Sequence, residues 1–154
     1  MRTRTRRIIL AVAMPTLALL AVMLGGCISF GPTASTEHPM VSAAGVPASE
    51  GTVNVTKGDN NNTLIEVHVK HLAPPWKVAS GATTYVVWIQ PLNGVIENVG
   101  GMDVDSDLAG TLKTVTPYHA FKLTVTPEPN SAIAQPTHKP VFTADITSRM
   151  SSDQ

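Results

Sequence analysis

Three groups of side chains in this 154-residue chain could do chemistry. The first is Cys27, the only thiol. A lone cysteine excludes an internal disulfide and any zinc site built on several cysteines. The second is Asp103-Val104-Asp105-Ser106-Asp107, whose alternating carboxylates could offer hard oxygens to Ca²⁺. An EF-hand loop needs Gly at its sixth position and Glu at its twelfth, where Leu108 and Thr114 stand. A solvated turn between strands is the simpler expectation. The third is the set of five histidines. His68 and His71 are three apart, which on a strand puts them on opposite faces. His38, His119 and His138 are scattered. No metal or cofactor is expected from these. There is no Gly-x-Ser-x-Gly elbow, since Ser80-Gly81 lacks the preceding glycine, and no phosphate loop, dinucleotide fingerprint or His-Glu-x-x-His. The expectation is a protein that is not an enzyme. The alternative is a divalent-metal-binding or small hydrolytic protein that uses Asp103, Asp105, Asp107 and nearby histidines.

Two further residues are candidates for a partner surface. Trp76 follows Pro74-Pro75 in a loop, where an exposed indole can stack on a glycan or anchor a protein, although covering the sandwich edge is the simpler expectation. Glu128 lies between Pro127 and Pro129, as a loop carboxylate with a local structural role. Trp88, the only other tryptophan, is expected in the core between the sheets.

The elements that must position these residues begin with an export signal. Arg2, Arg4, Arg6 and Arg7 precede an uncharged apolar run from Ile8 to Leu24, with Gly25-Gly26 before the cysteine. A basic start, a short apolar core and small residues at a break make a secretory signal. Leu24-Gly25-Gly26-Cys27 resembles the lipobox of bacterial lipoproteins. That resemblance implies a diacylglyceryl group on the Cys27 sulfur, cleavage between Gly26 and Cys27, and anchoring to the membrane through lipid. Each buried CH₂ then contributes about 0.8 kcal/mol. Thr5-Arg6-Arg7-Ile8-Ile9-Leu10 is similar to a twin-arginine export motif, though an ordinary basic start is the simpler expectation. Ile28, rather than Asp, follows the cysteine, which resembles the pattern of outer-membrane sorting.

The whole chain balances 11 Lys+Arg against 11 Asp+Glu. Loss of residues 1–26 removes four arginines and no acid, leaving 128 residues at about −4. A mildly acidic, thiol-free body suits an oxidising extracytoplasmic space and makes a poor nucleic-acid partner.

Residues 27–50 are rich in Ser, Ala, Pro and Gly without a period, so they read as a flexible tether. Residues 148–154 read as a disordered tail. Between them, residues 51–147 carry seven strand-like runs and no convincing amphipathic helix. The runs are 51–56, 63–72, 83–90, 95–104, 108–116, 119–126 and 141–147. Thr63–Leu72 alternates, with Ile65, Val67 and Val69 opposed to Glu66, His68 and Lys70. Thr83–Gln90 is apolar on both faces and reads as a central strand. Gly100-Gly101 predicts a bulge. A long loop with four prolines spans 127–140. Seven short strands in about 100 residues predict an all-β fold, an immunoglobulin-like antiparallel β-sandwich. A small closed barrel is the alternative.

The C-terminal part also carries a family resemblance. Tyr85-Val86-Val87-Trp88, a glycine turn with Val99-Gly100, and Asp107-Leu108-Ala109-Gly110-Thr111-Leu112 come first. Phe121 to Pro129 and Gln135-Pro136-Thr137 follow. This order resembles the extracytoplasmic domain of membrane-bound anti-sigma factors of the sigma-K regulator type, over roughly residues 83–147. Such factors also carry a cytoplasmic sigma-binding segment. Only seven residues precede the apolar run here, so direct sigma-factor inhibition is not expected. What the resemblance implies is an outward-facing β-domain, with regulation of an envelope stress response through a membrane partner as a further alternative. The leading expectation is a lipid-anchored extracytoplasmic module with a binding, sensing or envelope-structural role. Its partners would be the membrane, through lipid, and an envelope protein or glycan, contacted by loops 73–82 and 127–140.

Overall fold

The computed structural model describes residues 35–147. The expected signal segment with Gly26 and Cys27, residues 28–34 and the expected tail 148–154 lie outside the described residues. Two antiparallel sheets pack as a sandwich. One has the order β1-β3-β4-β7 and the other β2-β9-β8-β5-β6. The strands are β1 (Ser35–Pro39), β2 (Val41–Ser42), β3 (Glu50–Lys57), β4 (Thr63–Lys70), β5 (Thr84–Pro91), β6 (Glu97–Met102), β7 (Gly110–Thr116), β8 (Ala120–Glu128) and β9 (Phe142–Thr147). A one-turn helix, α1 (Pro75–Val78), precedes β5. Among the described residues no helix is long and apolar enough to cross a membrane.

All seven expected strands form, as β3 to β9. Their hydrophobic alternation decides the layers, because successive side chains point to opposite faces. Val53, Val55, Ile65, Val67 and Val69 from one sheet meet Tyr85, Val87, Ile89, Leu123, Val125 and Phe142 from the other in a single core. The hairpins β3–β4, β5–β6 and β8–β9 stay within a sheet. The connections β4→β5, β6→β7 and β7→β8 cross between sheets, as in immunoglobulin-like Greek-key sandwiches. The expected bulge is present: the β5–β6 register shifts between Val87 and Trp88, opposite Gly100 at φ 141.

The tether expectation needs correction over residues 35–50. Ser35–Pro39 pairs with β3, and Val41–Ser42 pairs with β9. The chain changes sheets at Met40, whose N–H donates to Gly51 O at 2.8 Å. Its buried side chain lies over Gly51 and the Phe142 ring. These two strands add to the outer edges of β3 and β9, where unpaired backbone groups offer a template. Nothing in their polar composition required it. The backbone pairing and the Met40 contact supply the driving force, and neither is a periodic signal.

The fold has two ends. Register places Ser35, the 57–63 turn, the 91–97 turn, the 116–120 turn and Thr147 at one end. The 42–50 turn, α1, the 102–110 loop and the 128–142 loop gather at the other.

Candidate functional site

The α1 end carries most of the sequence-selected residues, and Trp88, midway along β5, is hydrogen-bonded toward it. Trp88 is fully buried, but it is not part of the core between the sheets. Alternation along β5 sends Tyr85, Val87 and Ile89 inward, and Val86 and Trp88 to the outer face of the five-stranded sheet. The 129–141 loop lies over that face. Asn98 Nδ2 donates to Ser131 O and Ile133 O at 2.9 and 2.8 Å. Ser131 sits so close to Gly101 that a Cβ there would lie 2.6 Å from the serine Cβ. β5 is therefore apolar on both faces because a loop, not a third sheet, covers the second.

Glu128 fastens this cover. It ends β8 just past the last β8–β9 pair, where Pro127 is tolerated because the strand is locally an edge. Its carboxylate is fully buried. Trp88 Nε1 donates to Thr126 Oγ1 at 2.8 Å, and Thr126 Oγ1 donates onward to Glu128 Oε1 at 2.7 Å. From the loop, Thr137 N–H donates to Oε1 at 2.9 Å, and the Thr137 hydroxyl donates to Oε2. His138 Nδ1 lies 3.6 Å from Oε2. Burial alone would raise the Glu128 pKa. The side-chain hydrogen bonds from Thr137 and Thr126, with backbone N–H groups of Thr137 and His138, outweigh it and hold the carboxyl below its usual range. Glu128 was expected on a partner surface. Its full burial removes it from any surface and makes it the peg of the loop.

Trp76 stands on the other side of this end. Pro74 holds an extended conformation, as a residue before proline tends to, and Pro75 opens the helical turn. Ala79 N–H closes that turn on Pro75 O at 2.9 Å. Just upstream, the buried Tyr85 hydroxyl donates to Ala73 O at 2.7 Å. Burial pushes the Tyr85 pKa up to about 12, so the phenol stays a donor. The turn buries Pro75 and leaves Trp76 64% exposed.

Beside α1 runs a groove of 620 Å³. Its walls come mainly from the segments Ala43–Gly45, Val78–Ser80 and His138–Val141, with Pro127 of β8 also lining it. Each is tied by backbone bonds, including Ala43 N–H to Val141 O, Ala82 N–H to Ala79 O and Val141 N–H to Val125 O. Such a groove is of ligand size, mostly apolar and largely preformed.

The aspartate cluster assembles nothing comparable. Asp105 Oδ1 accepts the N–H groups of Asp107 and Ala109, both at 2.9 Å, in an Asx turn. Asp103 Oδ1 instead accepts from Thr84 Oγ1 at 3.2 Å. Among the described residues no three His, Cys, Asp or Glu side chains gather closely enough to hold a metal. His68 shares a face with Glu66, 3.1 Å away, and Lys113 pairs with the same carboxylate at 2.8 Å.

No family model, curated protein or solved structure matches this chain. The site has to be read from its own residues. Trp88, Thr126, Glu128 and Thr137, which help carry the resemblance noted in the sequence, meet in one hydrogen-bonded chain. Sequence reasoning missed that meeting. Its only signal was a Thr-x-Glu step followed by a threonine nine residues on.

Proposed function

We propose that this protein is a lipid-anchored extracytoplasmic β-sandwich with a non-enzymatic binding role, held to the membrane through Cys27 and presenting its α1 end to an envelope protein or glycan. The observation that carries the reading is the separation of the two ends. Chain leading back to Cys27 leaves from Ser35, at one end. Trp76, α1 and the groove lie at the other. A module hung by its N-terminus would then turn the exposed indole and the preformed groove away from the membrane. Tryptophan in such a setting supplies large contact area at low entropy cost.

Crosslinking and pull-down from intact membranes test this, comparing wild type with Cys27→Ser and Trp76→Ala. Wild type should fractionate with membranes and capture a reproducible partner. C27S should become soluble, and W76A should stay anchored but lose the partner. A soluble wild type overturns the anchor, and unchanged capture by W76A overturns the surface. A second reading, a regulator acting through a membrane partner, draws on the anti-sigma resemblance. The same capture experiment would identify such a partner.

A further inference from the structure

At the Ser35 end, the β5–β6 hairpin carries Pro91-Leu92-Asn93-Gly94-Val95-Ile96, with no charge between Gln90 and Glu97. Gly94 N–H closes the turn on Pro91 O at 3.1 Å. Leu92 is 83% exposed and Val95 77%, the two most exposed large hydrophobic residues among those described. An Asn-Gly turn does not need apolar flanks; polar residues would close it as well. Isolated exposed hydrophobics are ordinary, but two at one tip beside a partly apolar cleft make a patch. That cleft is lined by Leu92, Phe121 and Ile146, among others.

We infer that this hairpin tip rests in the membrane interface, with Leu92 and Val95 among the headgroups and upper acyl chains. The inference rests on the lipid-anchor reading above. Its occupant is chosen by where the chain leads. Only residues 28–34 separate Cys27 from Ser35, and whatever their conformation the eight steps between those two residues reach at most about 29 Å. The Ser35 end, and with it the 91–97 turn, is therefore held close to the bilayer at high effective concentration. Apolar side chains that lodge about 5–10 Å into the interface bind in proportion to the area they bury. β5 is a central strand paired on both sides, so the tip is already ordered and little entropy is lost on contact. The contact would also fix the orientation, turning Trp76 and the groove outward.

Tryptophan quenching in reconstituted vesicles tests this. The full chain is purified from membranes in detergent and returned to phosphatidylcholine vesicles with or without brominated acyl chains. Wild type reports from Trp76, since Trp88 is fully buried. The W76F/L92W variant reports from the hairpin tip. Brominated lipid should quench L92W with a blue-shifted emission and leave wild type unchanged. Adding V95D to W76F/L92W should reduce the quenching while flotation with the vesicles persists. If the protein floats but L92W is not quenched, or if wild type is quenched instead, the membrane contact is wrong though the anchor stands. If L92W is not quenched and a Leu92→Cys variant that floats crosslinks to itself, the tip serves a second copy and the inference falls. Failure of wild type to float overturns the anchor and this contact together.

Discussion

Thr137 donates both its backbone N–H and its hydroxyl to the carboxylate of Glu128, nine residues earlier in the chain. This double bond-pair closes the loop over the outer face of the five-stranded sheet. Trp88 is joined to the same carboxylate through Thr126, so loop, strand and indole form one unit. The relationship explains how a proline-rich loop becomes a fixed wall of the groove.

Glu128→Ala should therefore destabilise the domain by about 2–4 kcal/mol, since it leaves the buried Thr126 hydroxyl without its acceptor and frees the loop at Thr137. Urea unfolding followed by circular dichroism measures this. Glu128→Gln keeps the shape and one acceptor and should cost less. Equal stability of E128A and wild type would remove the peg role.

Acidification should act on the same residue. Its carboxyl titrates below the ordinary value of about 4.3, so its stabilising contribution is full above that pH. The contribution is lost as pH falls through the lower folded value. In a Trp76→Phe background, Trp88 emission should hold steady from neutral pH to about 4.5 and shift to the red below the ordinary carboxylate range. The E128Q variant should lose that dependence.

Gly101 tests the cover from the opposite side. A Cβ at this position would meet the Ser131 Cβ at 2.6 Å, and neither can move without lifting the loop. Gly101→Ala should cost about 1–3 kcal/mol and raise the accessibility of Trp88 to acrylamide. Restored stability in the G101A/S131G double variant would identify the clash as the cause.

Met40 tests the N-terminal strands. It is 8% exposed and covers Gly51 and the Phe142 ring. Met40→Ala should cost about 2–3 kcal/mol in thermal or urea unfolding. A flexible tether would show no loss.

Trp76→Ala should leave stability within about 0.5 kcal/mol of wild type, because the indole is largely exposed. A large loss of stability would show that the side chain covers the sandwich edge instead of waiting for a partner.

Much of this was readable from sequence, and the reason differs by element. Ile65, Val67 and Val69 alternate with Glu66, His68 and Lys70, and a period of two can only be satisfied by a strand with one wet face. The seven sandwich strands, their turns and the Gly100 bulge follow from such local signals. The expected export signal and the Cys27 lipobox rest on linear order alone and lie outside the described residues. Tertiary structure alone decided the rest. Alternation says that Val86 and Trp88 share a face, but not that the distant 129–141 loop will bury it. Flanking prolines mark Glu128 as loop-like. Its burial depends on donors that only folding brings within reach. Residues 35–42 have no period of their own and become strands because two sheet edges needed partners. Local spacing fixes the face a side chain points to; what covers that face is settled by parts of the chain far away in sequence.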